Sequence, residues 1–116
     1  MQPFDIPVIH KSYEFYRTLH GLQKNIPKME RYTLWIRCEE TNLRILESFL
    51  KVGYVSQERR ADELTRISSQ VDMLRVFLRL AHDVEAINQK QYIKLQEGVD
   101  EIGRMLGGWL KSLKQR

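Results

Sequence analysis

The apolar residues of this chain recur at helical spacing in four successive segments separated by short breakers. In the first, Phe15, Tyr16, Leu19, Leu22 and Ile26 follow a start near Val8. It ends at Asn25-Ile26-Pro27, because proline disfavours helical geometry in the residue before it. The same proline can open a second helix, whose first position needs no N–H. Tyr32, Trp35, Ile36, Leu43, Leu46, Phe49 and Leu50 mark its stripe, and Gly53 its stop. Tyr54-Val55-Ser56 reads as a turn, with Ser56 as N-cap of a third helix. Arg59 stands where a capping box would place Glu or Gln.

The third helix is expected over about Gln57 to Asp83. Leu64, Ile67, Val71, Leu74, Phe77, Leu78 and Ala81 form one stripe; Met73, Val76 and Leu80 form a second. A helix that is apolar on two sides must bury two sides, as an inner element or at a subunit contact. The fourth helix has the cleanest pattern: Tyr92, Leu95, Val99, Ile102, Leu106, Trp109 and Leu113 alternate three and four apart, a heptad seam. Gly98, Gly103, Gly107 and Gly108 interrupt it, each costing about 1 kcal/mol against alanine. Gly103 and Gly107 offer a smooth ridge for the close approach of another helix. The alternative, a helix ending near Gly107, conflicts with the seam continuing through Trp109 and Leu113.

These segments predict an all-α, antiparallel up-down-up-down four-helix bundle, with the longer helices roughly 35–40 Å long. An extended segment, residues 1–7, punctuated by Pro3 and Pro7, precedes one bundle domain over residues 8–116. A length of 116 residues suits one domain. No run of eighteen apolar residues suggests a membrane span, and the N-terminus lacks a signal-peptide layout. Cys38 is the only cysteine, so an internal disulfide is impossible and the reducing cytoplasm is the expected compartment.

Charge changes the picture at one end only. The net charge is +4. Residues 104–116 carry Arg104, Lys111, Lys114 and Arg116 and no acid, while residues 1–103 hold fifteen basic and fifteen acidic side chains. A basic helix end suits the negative end of the helix dipole. It also suits phosphate or an acidic partner. Arg75 and Arg79 lie one turn apart in the apolar run of the third helix. Either their stems snorkel over apolar surface, or the guanidinium groups form a row for phosphates or carboxylates.

Catalytic chemistry finds little support. No glycine loop for phosphate, no paired cysteines and no Glu-x-x-His pairs of a di-iron bundle occur. His10 and Glu14 lie four apart, a spacing found far more often in surface pairs than in metal sites. His82 is expected to cap or pack at its helix end, and Cys38 to pack as a small apolar residue. Glu39-Glu40 and Asp100-Glu101 read as solvated faces. No enzyme, metal or cofactor is expected. The basic residues are not interleaved with aromatic ones as base stacking would require, so backbone contact is the expected mode if nucleic acid binds.

Two stretches add a resemblance: Met73-Leu74-Arg75-Val76-Phe77-Leu78-Arg79-Leu80 and Gly103-Arg104-Met105-Leu106-Gly107-Gly108-Trp109-Leu110-Lys111. Together they resemble the four-helix bundle family that includes the accessory variability determinant (Avd) of diversity-generating retroelements. The wider family contains proteins encoded in intervening sequences of 23S ribosomal RNA genes. The resemblance implies a barrel-like homopentamer that binds a reverse transcriptase and its RNA or DNA. It would support mutagenic cDNA synthesis and retrohoming without supplying polymerase chemistry. Under it, Arg75, Arg79, Arg104, Lys111 and Lys114 are the expected partner or nucleic-acid contacts. Met73, Val76, Leu80, Gly103 and Gly107 are the expected subunit contacts. The other branch would imply a structural or RNA-associated bundle with no reverse transcriptase.

Overall fold

A computed structural model describes residues 2–114. Met1 and Arg116, named above in the extended segment and the basic tail, lie outside the described residues. Four long helices are α1 (Pro7–Leu22), α3 (Leu34–Val52), α4 (Gln57–Asp83) and α5 (Gln89–Lys114), with a single-turn α2 (Lys28–Arg31) between the first two. Around the bundle α3 packs on α4, α4 on α5, and α1 closes the ring against α3 and α5. The whole measures 46 × 22 × 19 Å. The expected all-α bundle is what forms.

Boundaries differ from the sequence reading in three places. Pro3–Asp5 is a 3-10 turn rather than part of an extended segment. The second helix does not run unbroken from Pro27. Pro27 is the N-cap of α2, and the chain breaks at Tyr32 and Thr33 before α3 begins. α1 likewise stops at Leu22, and residues 23–25 tighten into a 3-10 turn before Ile26 is buried.

The core runs the length of the bundle. Trp35, Phe49, Leu19, Ile45, Leu64, Leu74, Leu78, Leu95 and Ile102 are among its fully buried side chains. Burying one such side chain is worth about 1.5–3 kcal/mol. The α5 seam lies where its spacing puts it: Leu95, Val99, Ile102 and Leu106 are buried, and Tyr92, Trp109 and Leu113 pack half-buried at its ends. Trp109 stacks on Phe49 at 6.2 Å, so the helix continues packing beyond its glycine pair.

The buried face of α3 corrects the expected stripe. Tyr32, Ile36, Leu43 and Leu50 are exposed, while Trp35, Cys38, Glu39, Thr41, Asn42, Ile45, Phe49 and Val52 face inward. The polar members find partners across helices or in their own turn, although Asn42 Oδ1 is buried without one among the described residues. Asn42 Nδ2 donates to Ser12 O at 3.2 Å, and Thr41 Oγ1 to Arg37 O at 2.7 Å. Trp35 Nε1 donates to Leu19 O at 3.2 Å, fixing α1 against α3. Glu39, read from sequence as solvated, is only 5% exposed. Its carboxylate takes His20 Nδ1 at 3.1 Å and accepts from Gln23 Nε2 at 3.4 Å.

Turns and caps hold the helices in register. Ser56 is the N-cap of α4 but makes no side-chain cap bond. Arg60 instead reaches back to the carbonyls of Val55 and Gly53, at 3.4 and 3.5 Å. The α4–α5 turn needs a left-handed residue, and Glu85 supplies it with φ 64°. Glu85 N–H bonds His82 O at 3.0 Å and Ala86 N–H bonds Ala81 O at 2.8 Å, a Schellman closure without glycine. Holding a non-glycine residue there costs roughly 1–2 kcal/mol, offset by burial of Ala86 and Ile87 just after it. Asn88 then caps α5: its Oδ1 accepts from Gln91 N–H at 2.8 Å and its N–H donates to Gln91 Oε1 at 2.9 Å. His82 packs at its helix end, as expected, stacked on Tyr92 at 4.7 Å.

Candidate functional site

The two arginines of the third-helix motif, on α4, have different surroundings. Arg75 leans across to α5. Its Nη1 donates to Asp72 Oδ1 at 2.7 Å and its Nε to Asp100 Oδ1 at 3.1 Å. Gln96 Nε2 adds a bond to Arg75 O at 3.2 Å. The tip of the guanidinium lies over Gly103, where an added Cβ would stand 2.5 Å from Nη2. Arg75 is therefore a clamp between the helices, its charge met by two carboxylates. Arg79 points outward with its side chain 75% exposed, and its nearest acid, Asp83, is 4.0 Å away.

On α5, Arg104 pairs with both oxygens of Glu101 one turn back. Lys111 and Lys114 are exposed in the last turns, with no ion pair among the described residues. They sit at the negative end of the helix dipole, which favours cations there. The expected cations thus differ in state and place: Arg75 is neutralised, Arg104 partly so, and Arg79, Lys111 and Lys114 are open to solvent, Arg79 near the C-terminal end of α4 and the two lysines in the last turns of α5.

The expected subunit-contact residues divide similarly. Met73, Val76 and Leu80 are 48%, 63% and 44% exposed on the outer face of α4. Gly103 receives Arg75 of its own chain, so the close approach it permits lies within the bundle. A Cβ at Gly107 would meet nothing within 4 Å. The helix approach that glycine does allow on α5 is at Gly98, where a Cβ would stand 2.6 Å from the Phe15 ring of α1.

A second apolar surface escaped the sequence reading. Phe4, Tyr13, Leu43 and Leu50 are exposed on the side formed by α1 and α3. Phe4, Tyr13 and Leu50, with Leu46 and Ile9, border a shallow cavity of about 260 Å³. The Phe4 ring meets those of His10 and Tyr13 edge-on at 4.8 and 5.0 Å, so His10 is engaged by an aromatic ring. The seven-residue steps Ile36, Leu43, Leu50 were the available signal, and they were absorbed into the core stripe instead.

Fold and surface together define an antiparallel helical bundle that keeps its unpaired cations and two apolar faces on the outside. A model of the bAvd-like family matches residues 8–113, the whole bundle from the first turn of α1 to the last of α5. The chain belongs to that family. No curated protein matches it.

Proposed function

We propose that this chain is a non-catalytic accessory protein of a diversity-generating retroelement, acting in the cytoplasm. It binds the element's reverse transcriptase and its RNA or DNA, and supports mutagenic cDNA synthesis and retrohoming. The observation that carries the reading is the family match along the whole bundle. The solvent-exposed cations Arg79, Lys111 and Lys114 support the binding part, the two lysines without an ion pair among the described residues. These groups suit phosphates as point charges or forks, and give attraction that does not depend on sequence.

The apolar faces suit self-assembly. The outer face of α4, with Met73, Val76 and Leu80, and the α1/α3 face lie on different sides of the bundle. Pairing one with the other is a head-to-tail contact, which repeats around a closed ring such as a homopentamer. Gly107 adds room at the α5 surface. The test is co-expression of the tagged chain with the reverse transcriptase encoded beside it. The enzyme should co-purify with the chain, and light scattering should give a multiple of the protomer mass. A stable monomer that retains no reverse transcriptase would overturn the proposal.

A further inference from the structure

The break between α2 and α3 opens a cleft against α4 about 460 Å³ in volume, bordered by Tyr32, Leu34, Ile36, Arg37 and Phe77. The Arg37 guanidinium lies over the Phe77 ring, 5.8 Å from its centroid. Arg37 has no ion pair among the described residues, and no carboxylate lines the cleft. Tyr32 is 65% exposed and Phe77 half-buried, so one ring stands free at the mouth and the other forms a wall. Arg44 continues the same face of α3 two turns on, also without an ion pair among the described residues.

We propose that this cleft binds an unpaired nucleobase of a single-stranded nucleic acid, with Arg37 and Arg44 on the flanking phosphates. The inference rests on the nucleic-acid binding proposed above and adds a place and a mode to it. Rings and an uncompensated guanidinium are what stacking and cation–π recognition of a base need. A purely apolar partner would leave Arg37 unpaired. A duplex keeps its bases stacked inside and cannot present one to the cleft.

The test is fluorescence anisotropy with labelled single-stranded oligothymidine and with an abasic oligomer of equal length and charge. The unmodified protein should bind the base-bearing oligomer more tightly. Tyr32→Ala should weaken that binding about 5- to 150-fold, the range for one lost base stack, and leave the abasic oligomer unaffected. Arg37→Ala should weaken both, base-bearing more than abasic. Tyr32 is exposed, so the variant should keep its helicity, checked by circular dichroism. Binding that is undiminished in Tyr32→Ala overturns the cleft while leaving nucleic-acid binding itself intact. A protein that binds neither oligomer overturns both. A change of oligomeric mass in Tyr32→Ala with unchanged oligomer binding marks the cleft as a subunit contact and also overturns it.

Discussion

Gly98 and Gly103 are both half-buried on α5, yet a methyl group means opposite things at the two. At Gly98 it would meet the Phe15 ring, a core side chain only 5% exposed, at 2.6 Å. Overpacking of this kind costs about 1–3 kcal/mol, more than the roughly 1 kcal/mol of helix propensity gained. At Gly103 it would meet only the tip of Arg75, which can swing outward at the loss of surface ion pairs worth about 0–1 kcal/mol. Gly98→Ala should therefore lower the urea midpoint, and Gly103→Ala should leave it unchanged or raise it. Equal midpoints for the two variants would mean that α1 does not pack on α5 as described. Cys38 gives a pH test. Burial, helped by the nearby charge of Glu39, pushes its thiol from 9.0 up to about 12. The folded state keeps the neutral thiol after the unfolded chain has lost its proton. Its contribution to stability is therefore full below pH 9 and falls as pH rises from 9 to about 12. Wild type should lose more stability than Cys38→Ala over that interval in urea titrations, and a parallel decline would show the thiol to be exposed.

At the scale of the element, legibility followed how sharply each helix separates its faces. On α5 every seam position falls at a three- or four-residue step, with mostly polar residues and glycines between, and the structure reproduces the seam. On α3 hydropathy misleads. Asn42, Thr41 and Glu39 go inside with donors or acceptors on α1 or on the helix's own carbonyls to meet them, and partners on another helix leave no trace in local spacing. Leu43 and Leu50 are left outside as a consequence. The cleft of Tyr32, Arg37 and Phe77 was invisible for the same reason, since only the packing of α3 on α4 brings the guanidinium over the ring. The motif arginines were legible as a pair but not in their division of labour, which depends on Asp100 of the neighbouring helix. That division is testable. Arg75→Glu would set three carboxylates together across α4 and α5 and should destabilise the bundle by about 1–2 kcal/mol in thermal or urea melts. Arg79→Glu, at an open position, should stay within about 0.5 kcal/mol of wild type while weakening polyanion binding. The reverse ranking would show that Arg75 is not the clamp.

The whole molecule is a rod of 46 × 22 × 19 Å with unequal ends and sides. Its charge excess comes from the last stretch of α5, where two lysines have no carboxylate partner among the described residues, and its spare apolar surface lies along the sides. That arrangement suits a scaffold which joins copies of itself laterally and offers phosphates a basic end. Among the described residues no helix is long and apolar enough to cross a membrane. The most direct test is the salt dependence of binding to a fluorescent structured RNA, measured by anisotropy for wild type and for Lys111→Glu/Lys114→Glu. The account predicts tight binding at low salt, a linear fall of log affinity with log salt, and a shallower slope in the double variant. No binding at low salt, either alone or with the reverse transcriptase present, would contradict it.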